Sequence, residues 1–445
     1  MPRKWIASLL ALAASLVAGC NAGPGKPQNL VVISLDTLRA DHLGVYGYDR
    51  ETSPQLDRWA KQAFVFDNAL SAANYTLASH HALFQSRTAH IARDARFDGP
   101  TLAVMLKEHG FRTAAFTGGG MLTEIHGFTR GFDSWDEGNE LLQDTVPKAL
   151  AFLDEAAQQD GRFYLFVHCL DVHLPYIPPP PYDHLFYPEY KGTVDGEGTR
   201  KLLSMRKMFE GRARYGKTRF DDDDKKKVVA LYDGEIAKMD VDLAKLLGRI
   251  DAPDLRDDTL VVIVSDHGDE FWEHGSVLHA HTVFQELLHV PFLLRVPALE
   301  REARHIGERV SLLDVVPTVL ELLALPQPKG LRGRSLVPLL HGEDLPERPV
   351  FAEGFAVDSK LQSVVDGPWK LIRDLDTGNV ALFDLKSDPR ELNDLASTQP
   401  QEVERLRQLL DGVLGRSREK QDPLALPAEV DEATKARLRE LGYID

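Results

Sequence analysis

Polar clusters follow apolar runs at separate places in the 445-residue chain. Asp36 directly follows Leu30-Val31-Val32-Ile33-Ser34-Leu35. His168 to His173 (His-Cys-Leu-Asp-Val-His) ends the run that begins at Phe163, and Asp266-His267 comes just after Thr259 to Val264. Carboxylates and imidazoles are the groups that hold metal ions and move protons. The only cysteines are Cys20 and Cys169, which excludes a disulfide scaffold and a four-cysteine zinc site. Any metal chemistry must therefore come from carboxylates and the 16 histidines.

The elements that must position these clusters are legible in the surrounding pattern. Each apolar run reads as a strand buried on both faces, as in a parallel sheet. Thr101 to Gly110 has helical spacing and closes on glycine, Phe111 to Phe116 reads as the next strand, and the loop Gly118 to Gly120 follows. Pro147 to Ala157 and Lys226 to Ile250 read as helices, the second long and amphipathic. Strands alternating with helices predict a doubly wound, mostly parallel α/β sheet flanked by helices. Open sheets of this kind bind ligands at the C-terminal ends of their strands, where all the clusters fall. One such placement would suit an ordinary loop residue; several at one edge favour a site.

The pattern changes near residue 345. Short strand-like pieces (350–352, 369–372, 381–385) precede a helix at Gln401 to Leu414, which predicts a small α+β domain over 346–445 after a catalytic α/β domain over 29–345. Asp221 to Lys227 (DDDDKKK) reads as a solvated helix lead-in, and Pro178 to Pro181 as a stiff extended loop. Apolar residues at 43% and charged residues at 27% describe a globular chain and exclude a disordered one, a coiled coil and a collagen. The net charge of −16 supplies no footprint for a nucleic-acid backbone, so no nucleic-acid partner is expected.

At the N-terminus, Arg3 and Lys4 precede an apolar run from Trp5 to Gly19, short of the roughly 20 residues that span a bilayer. It reads as a secretory signal over 1–19. Val17-Ala18-Gly19-Cys20 resembles the bacterial lipobox, which makes Cys20 the lipidation site and 20–28 a short linker. Acyl chains there would tether the protein to the cell envelope. Asn21 rather than Asp at the next position favours the outer membrane by the enterobacterial rule.

Together these segments resemble the sulfatase family, within the alkaline phosphatase superfamily. The stretches that carry the resemblance are Val31 to Tyr48, Phe128 to Trp135, Phe163 to Tyr176, Tyr232 to Asp240, Val264 to Pro291, Asp314 to Leu320, Leu331 to Pro338 and Phe383 to Asp394. They cover nearly the whole chain after the signal, in family order. The resemblance implies one divalent metal ion (Mn, Zn or Ca) at the C-terminal edge of the sheet. Asp36 would be one ligand, with Asp266 and His267 facing it. Many members carry a second Asp where this chain has Thr37, and Asn where it has His267. The variant set is closer to the family's phosphonate and phosphate diester hydrolases. Two carboxylates and an imidazole suit manganese, zinc or iron; all-oxygen sets suit calcium.

The departure lies at the nucleophile. Sulfatases oxidise the Cys or Ser of a C/S-x-P-x-R motif to formylglycine, and the matching stretch here is Thr76-Leu77-Ala78-Ser79-His80. Threonine is not a known substrate for that oxidation, so Thr76 is expected to stay a hydroxyl, bound to the metal and attacking phosphorus in line. His80 stands in the substrate-binding place of the motif's Arg, although an imidazole cannot grip an oxyanion bidentately. By motif position, His173 would contact the transferred group and protonate the leaving oxygen, and His279 would stabilise charge on the substrate oxygens. Arg39 and His168 fall near the site, and a purely structural role is one reading of His168.

These features predict an envelope-anchored, metal-dependent hydrolase of phosphoric or phosphonic esters, with a small-molecule, glycan or lipid ester as substrate and the membrane as partner through the lipid anchor. One alternative is a sulfuric ester hydrolase without formylglycine. Another is a phosphoethanolamine-type transferase, which usually carries several transmembrane helices. The last is a catalytically dead binding protein, which would have no need of Asp36, Asp266, His267 and His173 together.

Overall fold

All seven side chains of the first strand, β1 (Asn29–Leu35), are buried. A strand without an exposed face needs neighbours on both edges and layers on both sides, and β1 has them. It pairs in parallel with β5 (Arg162–Cys169) on one edge and β6 (Thr259–Val264) on the other. Ser34 stands opposite His168 in one pairing and opposite Val264 in the other. That register brings the strand ends level, so Asp36, the His168–His173 stretch and Asp266-His267 leave the sheet at one edge.

The computed structural model describes residues 27–88, 99–138, 141–203, 220–354, 360–413 and position 432. The expected signal at 1–19, Cys20 and most of the 20–28 linker lie outside the described residues.

The main sheet runs β10 (His305–Ser311), β2 (Phe64–Leu70), β9 (Phe292–Arg295), β6, β1, β5, β3 (Phe111–Thr117), β4 (Ser134–Glu137). Its pairings are parallel except where β9 meets β2 and β6. The expected doubly wound, mostly parallel sheet is present. Side chains alternate between two apolar layers: Val32, Phe166 and Val262 face one, Val31, Val167 and Ile263 the other. On the first side lie α2 (Thr76–Gln85), α3 (Leu102–Glu108) and α6 (Val315–Leu322); on the second lie α1 (Pro54–Trp59), α4 (Leu142–Ala156) and α5 (Asp222–Ile250). Every residue of α2 is buried, as expected of a helix covered all round.

Helix α5 starts at Asp222, four residues before the expected Lys226. The acidic run is its first turn: Asp221 is the N-cap in a capping box with Asp224, and Asp222, Asp223 and Asp224 sit near the positive end of the helix dipole. Helix α4 likewise starts before Pro147, at Leu142, whose N–H donates to Asp171 Oδ2 at 2.7 Å.

A second, antiparallel sheet is formed by β11 (Val350–Gly354), β12 (Leu361–Asp366), β13 (Trp369–Asp374) and β14 (Val380–Asp384), with α7 (Pro400–Val413) packed on one face through Val403, Leu406 and Leu410. It docks on the main body through an apolar cluster, Leu70, Val283 and Leu288 against Val365, Ile372 and Phe383, and through backbone and charge. Glu353 N donates to Ala72 O at 3.0 Å. Glu391 pairs with Lys370 at 2.7 Å, both fully buried, and accepts from Gln285 N at 2.6 Å.

Helix α5 also buries Glu235 near Asp171. Burial, helped by the field of Asp171, raises this carboxyl to about 8 from an ordinary 4.5. A carboxyl raised in the folded chain holds a proton that the unfolded chain releases. Its stabilising contribution is complete below about pH 4.5 and is lost as pH rises through 8. Glu235→Gln has no proton to lose. The melting temperature of the variant minus that of the wild type should grow between pH 5 and pH 9, by roughly 2–5 °C; a constant difference would contradict the assignment.

Candidate active site

The edge where β1, β5 and β6 end is built from the backbone upward. After β1 the chain turns at Thr37, in the left-handed region at φ 55°. Thr37 Oγ1 donates to Val172 O at 2.9 Å and Thr37 N to Asp266 Oδ1 at 3.3 Å. The position where many relatives carry a second acid is thus a turn that ties the strand ends together. Gly268 is required just after β6: a Cβ there would lie 2.1 Å from Glu286 O.

Ligand atoms of Asp36, Asp266 and His267 all lie within 4.8 Å of one another, and all three residues are fully buried. Each carboxylate has one oxygen engaged and one orphaned. Asp266 Oδ1 accepts from Thr37 N and His267 N, and Asp36 Oδ2 accepts from His168 Nε2 at 3.1 Å and Thr76 Oγ1 at 3.3 Å. Asp36 Oδ1 and Asp266 Oδ2 have no hydrogen-bond partner among the described residues. His267 Nδ1 donates to Gly268 O at 3.1 Å, which turns Nε2 toward the carboxylates, 3.4 Å from Asp266 Oδ2 and 3.8 Å from Asp36 Oδ1. Two orphaned buried carboxylate oxygens and an imidazole lone pair facing one point form a donor set that fits a divalent cation.

The electrostatics agree. Burial and the neighbouring Asp36 push Asp266 well above the ordinary carboxylate range. Burial acts upward on Asp36 too, but the hydrogen bond from His168 and the fields of His173 and His267 outweigh it and hold that carboxyl low. His267 is raised, since Asp266 and Asp36 together overcome its burial. Two like charges in a dry pocket call for a positive one between them.

Thr76 is the first residue of α2, after Tyr75 in extended conformation. Its Oγ1 lies 3.3 Å from both Asp36 Oδ2 and His267 Nε2. The positive end of the helix dipole favours negative charge at this position. The predicted residues Asp36, Thr76, Asp266 and His267 are therefore brought together.

His173 and His279 close the site from the other side. Their ring centroids are 5.1 Å apart, and His279 lies 4.5 Å from the His267 ring. His173 Nδ1 donates to Leu174 O at 2.8 Å. His279 is delivered by a short hairpin of β7 (Glu270–Phe271) and β8 (Val277–Leu278). Its Nδ1 sits 2.6 Å from Asp269 Oδ1, and Asp269 Oδ2 accepts from Tyr176 OH at 2.6 Å. Burial lowers His279 to about 3, outweighing the field of Asp269. The contact with Asp269 fixes the orientation of the His279 ring. Asp269 and Tyr176 were missed by sequence reasoning, although Asp269 stands in the Asp266-His267-Gly268-Asp269 run.

His80 departs from expectation. The second turn of α2 points it into the body, where it is fully buried. Its Nδ1 lies 2.8 Å from Thr76 O and its Nε2 2.9 Å from Ser34 Oγ. Both ring nitrogens serve the protein, which leaves none to bind substrate in the manner of the motif's Arg. Burial lowers its pKa to about 3. Arg39 is likewise engaged, with Asp41, Glu273 and the Asp269 carbonyl.

A family model described as Sulfatase matches residues 28–325. The chain belongs to the sulfatase family. A second model, N-sulphoglucosamine sulphohydrolase, C-terminal, matches residues 273–420. The chain is 30% identical over 201 residues to arylsulfatase K of Gallus gallus, a match covering 42% of this chain and 37% of that protein. The match thus spans well under half the length of such relatives. A phosphonate monoester hydrolase of Agrobacterium radiobacter superposes with a TM-score of 0.69 at 18% identity, covering 88% of this chain and 95% of its own. A 2-O GAG sulfatase gives 0.71 at 20% identity, with coverages of 92% and 96%. At these identities the likeness establishes the shared fold. Enzymes of this family use a divalent metal, for which Asp36, Asp266 and His267 are the candidate ligands in this chain.

Asp266→Asn tests the paired carboxylates. The amide removes one of two facing charges and can donate to Asp36. The variant is expected to melt above the wild type without metal, and to lose the rise in melting temperature that manganese or zinc gives the wild type. An unchanged metal-induced rise in the variant would remove Asp266 from the ligand set.

Proposed function

We propose that this protein hydrolyses phosphoric or phosphonic esters with Thr76 as its nucleophile, at the surface of a bacterial envelope membrane. The observation that carries the reading is the position of Thr76 Oγ1, at the start of α2 and 3.3 Å from both Asp36 Oδ2 and His267 Nε2.

A divalent cation held by Asp36, Asp266 and His267 would supply charge neutralisation and Lewis acidity at the transferred group. The chain's own residues do the rest. Thr76 Oγ1 attacks phosphorus, its proton directed at Asp36 Oδ2. The bond from phosphorus to the leaving oxygen breaks, and that oxygen takes a proton from His173. The N-terminus of α2 favours the charge that develops near Thr76. His279, fixed by Asp269 and Tyr176, orients the substrate oxygens. Water then attacks phosphorus and gives one proton to His173, the bond from phosphorus to Thr76 Oγ1 breaks, Oγ1 takes back the proton from Asp36, and the acid is released. Formylglycine enzymes release sulfate by collapse of a hemiacetal, a route closed to threonine. Sulfuric esters are the second reading, favoured by the match to arylsulfatase K. The structural match to a 2-O GAG sulfatase supports a glycan among the substrate classes.

The deciding measurement is kcat/KM of the manganese- or zinc-loaded protein on matched nitrophenyl phosphate monoester, phosphate diester, phosphonate and sulfate. A phosphorus ester is expected to win by more than tenfold, about 1.4 kcal/mol of transition-state preference, and Thr76→Ala to abolish its turnover. A winning sulfate would establish the second reading. Turnover unaffected by Thr76→Ala would remove the nucleophile.

For the address, we propose a lipid anchor on Cys20. Among the described residues no helix is long and apolar enough to cross a membrane. In cell fractionation, Cys20→Ser should shift the protein from the membrane to the soluble fraction and abolish labelling by a fatty-acid probe. A variant that stays in the membrane fraction would rule the anchor out.

A further inference from the structure

His168 takes no part in the reaction above, and its setting is unusual for an imidazole. Along β5 the side chains of Tyr164 and Phe166 enter one apolar layer, and the two-residue period of the strand puts His168 next on that face. An apolar residue would meet no unsatisfied partner there. His168 is fully buried, and its Nδ1 has no hydrogen-bond partner among the described residues. Keeping a buried nitrogen unpaired costs stability. Its other nitrogen, Nε2, lies 3.1 Å from Asp36 Oδ2. The ring is braced edge-on by His80, with centroids 5.1 Å apart and planes at 87°.

We propose that His168 is a positioning residue for the metal-binding group. By donating from Nε2 to Asp36 Oδ2, it joins the Thr76 hydroxyl in occupying that oxygen and fixes the rotation of the carboxylate. Oδ1 is then turned toward Asp266 and His267. The β1–β5 register, Ser34 opposite His168, sets this geometry, because the side chain reaches from one strand across the end of its neighbour. The inference rests on reading Asp36, Asp266 and His267 as metal ligands. It adds a residue that touches neither metal nor substrate but determines how well one ligand is presented.

The test is calorimetric titration of manganese into the full-length wild type, His168→Leu and His168→Gln, with the metal-free melting temperature of each. Leu removes the donor and keeps an apolar filling; the Gln amide can reach Asp36 much as Nε2 does. His168→Leu is expected to bind manganese about 10–100-fold more weakly without a lower metal-free melting temperature, and His168→Gln to recover most of the affinity. A packing role alone gives the reverse: Leu melts lower and binds manganese as the wild type does, which overturns the proposal. Should Leu fail to fold, His168→Asn takes its place, with the same amide on a shorter arm. Weaker binding by Asn than by Gln supports the proposal, and equal binding by Asn and wild type overturns it. A wild type that binds no divalent metal would instead refute the underlying metal assignment, a result distinct from any difference among the variants.

Discussion

The structure turns on two carboxylates, Asp36 and Asp266, buried opposite each other where adjacent parallel strands end. A protein interior does not hold two facing negative charges without compensation. Each carboxylate is tied by one oxygen and left bare at the other, and the bare oxygens face the His267 lone pair. Much of the surrounding architecture serves this arrangement. The level register of β5, β1 and β6 sets the spacing, and the turn at Thr37 binds the strand ends across it. The N-terminus of α2 adds positive potential from the side where Thr76 enters.

The second ring of the site is built from different material. His279 comes not from the main sheet but from the end of the return strand of a short hairpin, and its orientation depends on Asp269 and Tyr176. The small antiparallel sheet reaches the same region, because Glu391 holds the backbone of Gln285 just beyond that hairpin. The C-terminal sheet thereby contributes to the order of the site without supplying a reacting group.

What was legible in the sequence follows from how strongly each pattern was written. Continuous apolar runs ending in Asp36, Cys169 and Val264 located β1, β5 and β6, and with them the site edge. β2 was not recognised because Asp67 and Asn68 interrupt its run. β9 has only four residues, and β10 alternates irregularly around Gly307 on the sheet edge. The candidate ligand residues Asp36, Asp266 and His267 could be placed because each lies within three residues of the end of a buried strand. His80 could not, because motif position does not say which way a side chain leaves a wholly buried helix. Asp269, Tyr176 and the service of His168 depend on contacts between distant segments, which no local pattern encodes.

The antiparallel strand of the main sheet, β9, has a wider consequence. Val264 at the end of β6 pairs with Phe292 at the start of β9, and Ser265 N donates to Pro291 O. The excursion from Ser265 to Pro291 therefore leaves and re-enters the sheet at adjacent points, closed at its base like a drawn purse. Asp266, His267, Asp269 and His279 all ride on it. Because its closure belongs to the sheet, the tip of the excursion can change in length and composition while its anchored base stays in place. Such a segment is a natural unit of divergence. Changes confined to the tip would leave the base, with Asp266 and the strand register, in place.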